Sequence, residues 1–428
     1  MLLLAPYFLL RGLRDGKYLH NFRERLGNLG EDFPQPASQM RGGIWLHAVS
    51  VGEVQAAIPL ARELKRRFPG RPLLVSTTTD TGQQMARQKM DFADGFFYFP
   101  LDWRGPVRRL LQTLRPALAV VVETEIWPNF LRECRRAGVP VVFVNGRIST
   151  RSFGRYRLLQ NVAPDFVADV LHDAELFLMQ TEADAKRLRE LGGPAERVEV
   201  TGNLKYDVPP PDAGHVATWL AEQIERQERW PVIVAGSVLA GEEEQVLAAF
   251  DIVQRKWRRA LLVLAPRKPE RFEDAGEIAA QGGWSVVRRR SANLGQPLAE
   301  DADVFLLDSF GELAGIYRLA DAVFIGGSLV DAGGHNILEA AAFGRPPMFG
   351  PSMDNFEQMA REFLEEMAAV QVHSGEQLGQ AWVELISHPE RRERMGRVAR
   401  EIVERNQGAT SRSVERIARV LEARGPAQ

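Results

Sequence analysis

Short, uniformly apolar segments alternate along the first half of the chain with longer segments whose apolar positions recur at helical spacing. The apolar segments predict strands at residues 44–49, 73–77, 96–99, 118–122, 139–144, 175–179 and 198–201. Amphipathic helices are predicted between most of them, for example at residues 106–114 and 183–191. Strands that are apolar throughout are expected to have both sheet faces covered. The pattern is typical of an α/β fold with a doubly wound parallel sheet.

The same pattern starts again after a proline-rich stretch at residues 208–212. The consecutive prolines from Pro209 to Pro211 cannot continue a helix or a central strand, so they predict a stiff linker. Further strands are predicted at residues 232–235, 260–265, 284–287, 304–307, 322–325, 347–349 and 368–372. A helical tail at 391–423 is interrupted at residues 406–408. Two similar halves predict a bilobed molecule in which the strand edges of both halves face a cleft.

The composition narrows the class of protein without identifying it. The 428 residues are enough for about two or three domains. The net charge is -2, which gives no reason to expect a nucleic-acid partner. Cys134 is the single cysteine, which excludes an internal disulfide and a zinc site built from cysteines.

The N-terminal segment, residues 1–26, is predicted to associate with a membrane surface. Its first ten residues are apolar apart from Pro6 and Tyr7, and basic residues follow from Arg11 onward. This run is too short to span a bilayer, which needs about 20 apolar residues. It suits an anchor at the interface of an anionic cytoplasmic leaflet. An ordinary first helix packed on the body of the protein is the alternative.

Residues 44–53 combine a predicted strand, a turn that contains Ser50 and Gly52, and a helix that starts near Glu53. A carboxylate at a helix N-terminus interacts favourably with the helix dipole by up to about 1 kcal/mol, which by itself explains a glutamate there. Open α/β sheets also place their ligands at the carboxyl ends of the strands, so Glu53 is a candidate catalytic base. On this segment alone the structural interpretation is favoured.

Other strand ends of the first half carry polar residues that would face the same cleft. They are Thr79, Glu123, Glu125 and Arg147. The two glutamates are interpreted either as a second acid–base pair or as carboxylates that stabilise helix N-termini. Arg147 is followed by Arg151, Arg155 and Arg157, which would either meet a phosphorylated acceptor or form a solvated helix face.

Two glycine-rich turns in the second half predict an anion-binding loop. A Gly-Gly pair at 326–327 ends a predicted strand, and residues 333–339 lead into a predicted helix at 337–343. Glycine lets backbone N–H groups approach an anion at a helix start. Asn336 and Glu339 are three residues apart, so a helix places them on one face, where a carboxylate suits the hydroxyls of a ribose. Plain turn glycines and a surface glutamate are the alternative.

Residues 266–272 follow another predicted strand and contain a candidate phosphate ligand. The flanking prolines hold the backbone open, and Arg267 suits a bidentate grip on phosphate. Lys268 and Arg271 are interpreted as parts of a solvated basic loop.

Small-residue turns at 235–237 and 309–313 end two further strands at the same predicted sheet edge.

No G-x-G-x-x-G motif follows the first strand of either half, which disfavours a nicotinamide dehydrogenase. Walker A, H-E-x-x-H and G-x-S-x-G motifs are also missing from the sequence. A metal-free reaction on an activated phosphate needs cationic side chains and helix dipoles to hold the leaving group.

Four motifs, taken together, resemble those of the 3-deoxy-D-manno-octulosonic acid (Kdo) transferase family of lipopolysaccharide synthesis, a group of GT-B glycosyltransferases. They lie in order over nearly the whole chain, at residues 45–53, 123–129, 266–272 and 326–339. The resemblance implies a GT-B fold, in which two doubly wound, Rossmann-like domains face a central cleft. It also implies a C-terminal helix, here at 411–423, that crosses back to the first domain.

The resemblance further implies the domain boundaries and the reaction. Residues 27–208 would bind the acceptor, residues 209–405 would bind CMP-Kdo, and residues 406–428 would pack back on the first domain. Kdo would pass from CMP-Kdo to the lipid A precursor (lipid IVA) at the cytoplasmic face of the cell inner membrane, with no metal and no cofactor. The alternatives are another GT-B enzyme that uses a UDP-sugar, as a transferase or an epimerase, and a non-enzymatic bilobed binding protein.

Carried onto this chain, the resemblance makes Glu53 the general base of an inverting displacement. It places Arg267 on the CMP phosphate and makes Glu339 the ribose partner. The other expected donor-binding residues are Ser237, Gly311, Glu312, Leu313, Gly334 and Asn336. The expected acceptor or supporting residues are Ser50, Gly52, Thr79, Glu123, Glu125 and Arg147. The helix N-terminus is expected to lower the pKa of Glu53 and to keep it ionised at neutral pH.

Overall fold

The structure, a computed structural model, describes residues 21–34 and 36–423, with the backbone alone at Arg151. Residues 1–20, which make up most of the predicted membrane-associating segment, lie outside the described part of the chain. Within that part, no helix is both long enough and apolar enough to cross a bilayer.

The chain folds into two compact units. The first unit ends at Val208 and resumes at Asn406, and the second unit is Pro209–Arg405. The second unit is therefore inserted, as one continuous segment, between two parts of the first.

The first unit contains a seven-stranded parallel sheet. Its strands are β1 (Ile44–His47), β2 (Leu73–Thr77), β3 (Gly95–Tyr98), β4 (Leu118–Val122), β5 (Val141–Gly146), β6 (Leu176–Met179) and β7 (Val198–Val200). They are ordered β3-β2-β1-β4-β5-β6-β7. Every strand predicted for this half is present, with small shifts of its ends.

Helices cover both faces of this sheet. They are α1 (Phe22–Arg25), α2 (Val51–Arg67), α3 (Asp80–Lys89), α4 (Arg104–Leu114), α5 (Pro128–Arg136), α6 (Thr150–Val162), α7 (Pro164–Leu171) and α8 (Glu182–Glu190). Short 3-10 turns lie at Ala37–Met40, Ala195–Arg197 and Leu204–Asp207. Alternate residues of β1 enter two different cores. Trp45 packs against Phe97 and Phe130 at ring-centroid distances of 5.4 and 5.2 Å, whereas Leu46 joins the core that contains Leu60 of α2.

The order of the strands fixes where a ligand crevice lies in the first unit. β1 is hydrogen-bonded to β2 on one side and to β4 on the other. The chain therefore proceeds from β1 in one direction and later returns to its other side. Such a reversal opens a crevice at the carboxyl ends of the two strands, here β1 and β4. Glu53 and Glu123 follow these two strands.

The second unit repeats this architecture. Its strands are β8 (Val232–Val238), β9 (Leu261–Pro266), β10 (Val286–Arg288), β11 (Val304–Leu306), β12 (Ala322–Ile325), β13 (Pro347–Phe349) and β14 (Val370–Gln371). All are parallel, in the order β10-β11-β9-β8-β12-β13-β14. Its helices are α9 (Gly214–Arg226), α10 (Glu243–Lys256), α11 (Phe272–Gln281), α12 (Leu313–Ile316), α13 (Leu338–Ala341), α14 (Glu357–Glu365), α15 (Gly375–Ser387) and α16 (Pro389–Arg405), with 3-10 turns at Pro269–Arg271 and Tyr317–Leu319. The direction in which successive strands are added to this sheet reverses between β8 and β12.

The final helix, α17 (Ala409–Glu422), belongs to the first unit. Gly408, with a φ of 94°, separates it from α16. The side chain of Asp207 accepts hydrogen bonds from the backbone N–H groups of Gly408 and Thr410, which fixes the start of α17. Ile417 and Leu421 then enter the same core as α2. The chain thus crosses back to the first unit, as the fold predicted from the resemblance requires.

Candidate active site

Glu53 lies in the first turn of α2, directly after β1, and its carboxylate closes that turn. One carboxylate oxygen accepts a hydrogen bond from the backbone N–H of Val49 at 2.7 Å. The other accepts one from the Ser50 hydroxyl at 2.9 Å. Only 8% of the residue is exposed. The Glu53 carboxylate therefore stabilises the start of the helix, as the structural interpretation predicted, and it does so although it is buried.

Burial raises the pKa of Glu53 to about 8, with a further increase from the negative charges of Glu123 and Glu125. The hydrogen bonds from Val49 and Ser50 lower the pKa but do not offset these effects. The prediction that the helix N-terminus would lower this pKa is wrong in direction, because desolvation and two nearby carboxylates outweigh the helix dipole. An ionised Glu53 is consequently a stronger base than an exposed glutamate.

Two more glutamates and a lysine surround this position. Glu123 directly follows β4 and has a left-handed φ of 61°, a strained conformation of the kind found at functional sites. The Lys205 Nζ lies 3.6 Å from the Glu123 Oε1. Burial, followed by the Glu123 charge, raises the pKa of Glu125. The structure thus brings Glu53, Glu123 and Glu125 together and adds a cation that sequence reasoning missed.

Lys205 reaches the site through the fold rather than through a motif. It lies on the 3-10 turn Leu204–Asp207, which follows β7. The Asn145 Oδ1, just inside the end of β5, accepts a hydrogen bond from the backbone N–H of Leu204 at 2.9 Å and holds this turn in place. The one sequence feature that could have indicated Lys205 as a site residue is its place in a polar loop that follows a strand at this sheet edge.

The remaining residues predicted for the first unit lie at the same sheet edge, in supporting positions. Thr79 caps α3, because its hydroxyl oxygen accepts a hydrogen bond from the Gly82 N–H at 3.1 Å. The backbone N–H of Arg147 donates to the Thr124 hydroxyl at 2.7 Å, which joins the loops after β4 and β5. Gly52 is exposed, and a Cβ added there would meet no atom within 4 Å. Local packing therefore gives no reason for a glycine at this position.

In the second unit, the Gly-Gly turn after β12 already holds an anion, and the anion is a side chain of this protein. The backbone N–H groups of Gly327, Ser328 and Leu329 donate to the Glu242 carboxylate at 2.6, 2.9 and 2.9 Å. Glu242 is fully buried. These amides are therefore not available to a ligand anion, because an internal carboxylate occupies them. Anion binding by the glycines before the helix start, residues 333–334, stays a prediction.

The segment that follows supplies a second group of predicted residues. The Asn336 Nδ2 donates to the Glu339 Oε1 at 3.2 Å, so the two side chains share a face as predicted. The helix itself, α13, is one turn long and shorter than the predicted 337–343. Gly334 has a φ of 71°, and a Cβ added there would lie 2.3 Å from the Met353 sulfur, so only glycine fits.

Arg267 acts electrostatically on this segment. Its side chain is exposed. Burial raises the pKa of Glu339, against the opposing effects of Asn336 and Arg267. Burial and the charge of Arg267 lower the pKa of His335 to about 4, so its imidazole is neutral at physiological pH. Its Nε2 has no hydrogen-bond partner among the described residues. His335 lies within the motif at residues 326–339, but the sequence pattern alone did not indicate a role for it.

The other predicted donor residues also lie at the carboxyl edge of the second sheet. Ser237, with a φ of 58°, lies at an irregularity in the pairing of β8 with β9. Glu312 precedes α12, and its carboxylate is engaged by Arg289 at 3.1 Å and by the Ser309 hydroxyl. Gly311 has a φ of 80°, and Leu313 begins α12. Across the described ranges, no group of three His, Cys, Asp or Glu side chains is arranged to hold a metal ion.

A family model and two curated relatives that match this chain all carry the same name. A family model described as 3-deoxy-D-manno-octulosonic-acid transferase (kdotransferase) matches residues 20–208. A 3-deoxy-D-manno-octulosonic acid transferase from Haemophilus influenzae is 33% identical over 416 residues, which are 96% of this chain and 94% of that protein. A transferase of the same name from Bordetella pertussis is 33% identical over 403 residues, 91% of this chain and 90% of that protein.

Solved structures show a related fold at low sequence identity. A putative UDP-N-acetylglucosamine 2-epimerase from Listeria monocytogenes superimposes with a TM-score of 0.59 at 14% identity, covering 91% of this chain and 98% of that one. At this identity the likeness concerns the fold alone.

Proposed function

The chain belongs to the Kdo transferase family and is a glycosyltransferase, and we propose that it moves Kdo from CMP-Kdo to the lipid A precursor lipid IVA. The observation that carries the proposal is the buried Glu53 carboxylate, which lies beside Glu123 at the carboxyl ends of β1 and β4. Burial and neighbouring charges give this carboxylate the proton affinity that a general base needs near neutral pH.

In the proposed reaction, Glu53 takes the proton from the primary hydroxyl of the acceptor as that oxygen attacks the anomeric carbon of Kdo. The new carbon–oxygen bond forms while the bond to the CMP phosphate breaks on the opposite face. CMP leaves with the bonding electrons, and the configuration at the anomeric carbon inverts. Protonation of Glu53 also removes a buried negative charge from beside Glu123 and Glu125, which favours the proton transfer.

The second unit is proposed to hold the donor. Arg267 supplies the positive charge that stabilises the negative charge developing on the CMP phosphate as CMP leaves, and a guanidinium pairs well with phosphate. Glu339, held by Asn336, is the proposed ribose partner. The neutral His335 adds a polar ring nitrogen beside them, and it does not compete with Arg267 for the phosphate charge.

A direct assay tests this function. The protein mixed with CMP-Kdo and lipid IVA is expected to release CMP and to increase the mass of the lipid by that of a Kdo residue, as measured by mass spectrometry. CMP is expected to bind more tightly than UDP in a calorimetric titration. A mixture without CMP-Kdo is the control. A clear preference for UDP would contradict the proposal and favour an enzyme that acts on a UDP-sugar.

We also propose that the protein contacts the cytoplasmic face of the inner membrane through helix α6. The exposed apolar residues of α6 and of the start of α7 are Leu158 (67% exposed), Leu159 (40%), Val162 (84%) and Phe166 (46%). Arg155, also exposed, precedes the three residues of α6 by three, four and seven positions, so it shares their helix face. Phe153 packs against the core. An apolar face with a flanking cation suits an anionic lipid surface.

Changing Leu158 and Val162 together to serine is expected to weaken binding to vesicles that contain phosphatidylglycerol by about a hundredfold or more, because each buried aliphatic side chain contributes about 1.5–3 kcal/mol. Co-sedimentation with vesicles measures the effect. Met367→Ser is the matched control, because Met367 is 75% exposed but lies in the second unit. Equal vesicle binding by the double variant and the control would contradict a lipid contact through α6.

A further inference from the structure

Three consecutive glutamates stand at the start of α10, and their surroundings differ. Glu242 and Glu243 are fully buried, whereas Glu244 is exposed. Carboxylates are rarely buried completely unless strong partners compensate for the lost hydration. The partners of the two buried carboxylates come from two different loops of the second unit.

Glu242 organises the loop after β12. Its carboxylate accepts the three hydrogen bonds from residues 327–329 and a fourth from the Leu239 N–H at 2.9 Å. Consecutive N–H groups that converge on one point form a concave site suited to an anion. The carbonyl of Gly327 in turn accepts the Gly334 N–H at 2.8 Å, and a Cβ at Gly327 would lie 2.9 Å from the His335 ring. The loop held by Glu242 thus abuts the segment that contains Asn336 and Glu339.

Glu243 organises the loop after β9. Its Oε1 accepts hydrogen bonds from the Arg271 Nη2 at 2.8 Å and from the Arg271 Nε at 3.1 Å. Its Oε2 accepts one from the Gly241 N–H at 2.9 Å. Arg271 ends the 3-10 turn that follows Arg267, and only 23% of its side chain is exposed. It is therefore anchored, and its interpretation as part of a solvated loop is wrong.

We propose that Glu242 and Glu243 are positioning residues of the donor site. Glu242 substitutes for a ligand anion in the loop 327–329 and so holds the His335–Glu339 segment, while Glu243 sets the loop that carries Arg267. The inference rests on the proposed function, because it takes the CMP moiety to bind in the second unit. The inference explains why the amides of this glycine-rich loop donate to the Glu242 side chain, while Arg267 is the residue that binds the phosphate.

Glutamine variants of the three glutamates test the proposal in the full chain. Glu242→Gln keeps one acceptor oxygen and turns an amide N–H group toward the backbone donors. It is expected to raise the Kd for CMP and the KM for CMP-Kdo by about tenfold or more, with the KM for the lipid acceptor unchanged. Glu243→Gln and Arg271→Gln are expected to produce the same selective change with a smaller amplitude. Glu244→Gln is the matched control and is expected to behave as the wild type.

Wild-type donor affinity in a folded Glu242→Gln variant, or equal changes in both KM values, would overturn the proposal. Hydrogen exchange of the wild-type protein decides the question if that variant does not fold. The amides of residues 327–329 are expected to be protected without CMP and to gain nothing when CMP is added. A large gain in their protection with CMP would mean that the ligand, and not Glu242, occupies them. If the wild type bound no CMP at all, the proposed function itself would fail.

Discussion

Replacing Glu53 by glutamine is expected to lower the turnover of Kdo transfer by about 10²- to 10⁴-fold, the range for loss of a general base. Glutamine has the same shape, so its oxygen can keep the hydrogen bond from the Val49 N–H and its amide N–H can donate to the Ser50 hydroxyl, but it cannot take the acceptor proton. Turnover is measured as CMP release at saturating donor and acceptor. Glu63→Gln is the matched control, because Glu63 lies on the same helix and pairs at the surface with Arg66. Wild-type turnover in the Glu53 variant would refute the role of base.

The same variant is expected to be more stable than the wild type in alkaline solution. The folded-state pKa of Glu53, about 8, lies above its ordinary value of 4.5, so the folded protein binds more protons than the unfolded chain between these pH values. The stability that Glu53 contributes is therefore fully present below pH 4.5 and is lost as the pH rises through 8. Glutamine does not titrate. Denaturant unfolding at pH 5 and at pH 9 measures the difference, which should favour the variant only at the higher pH.

The second large effect is the pH dependence of the wild-type rate. A base with a pKa of about 8 is active when deprotonated, so turnover should rise as the pH increases and level off above 8. Well below that value the rate should fall about tenfold for each pH unit, and the fall between pH 8 and pH 6 should be about 50-fold. A profile that is flat over this range would contradict the assignment.

A variant of Glu123 tests whether the pH dependence of turnover reports the ionisation of Glu53 or that of another group. The charge of Glu123 is the largest cause, after burial, of the raised pKa of Glu53. Glu123→Gln should therefore move the rise in turnover to lower pH, whereas Lys205→Met, which removes a cation beside Glu123, should move it to higher pH. Shifts in the same direction for both variants would mean that the profile reports a different group.

The sequence alone predicted the fold well because the fold depends on local patterns. Uniformly apolar segments such as the one that became β4 indicate a strand covered on both faces, and the consecutive prolines at Pro209–Pro211 indicate the join between the units. The position of Glu53 followed in the same way, because a helix that starts after a strand of a parallel sheet places its first turn at the carboxyl edge.

The properties of the site depend on distant residues, and there sequence reasoning was less successful. The helix dipole was the one influence on Glu53 that its own segment revealed, whereas burial and the charge of Glu123 arise from the packed sheet. The anion in the Gly327 turn is Glu242, which lies 85 positions earlier in the chain. Lys205 approaches Glu123 only after β4 and β7 have joined the same sheet.

The insertion of the second unit between two parts of the first has a consequence for synthesis on the ribosome. Residues Pro209–Arg405 form a continuous segment, so they have all their core partners as soon as they emerge. The core around Leu60 of α2 also needs Ile417 and Leu421, which are made roughly 200 residues after the first unit's last strand. The first unit, although it is translated first, must remain open to this helix throughout the synthesis of the second, and its apolar surface is covered only when α17 arrives.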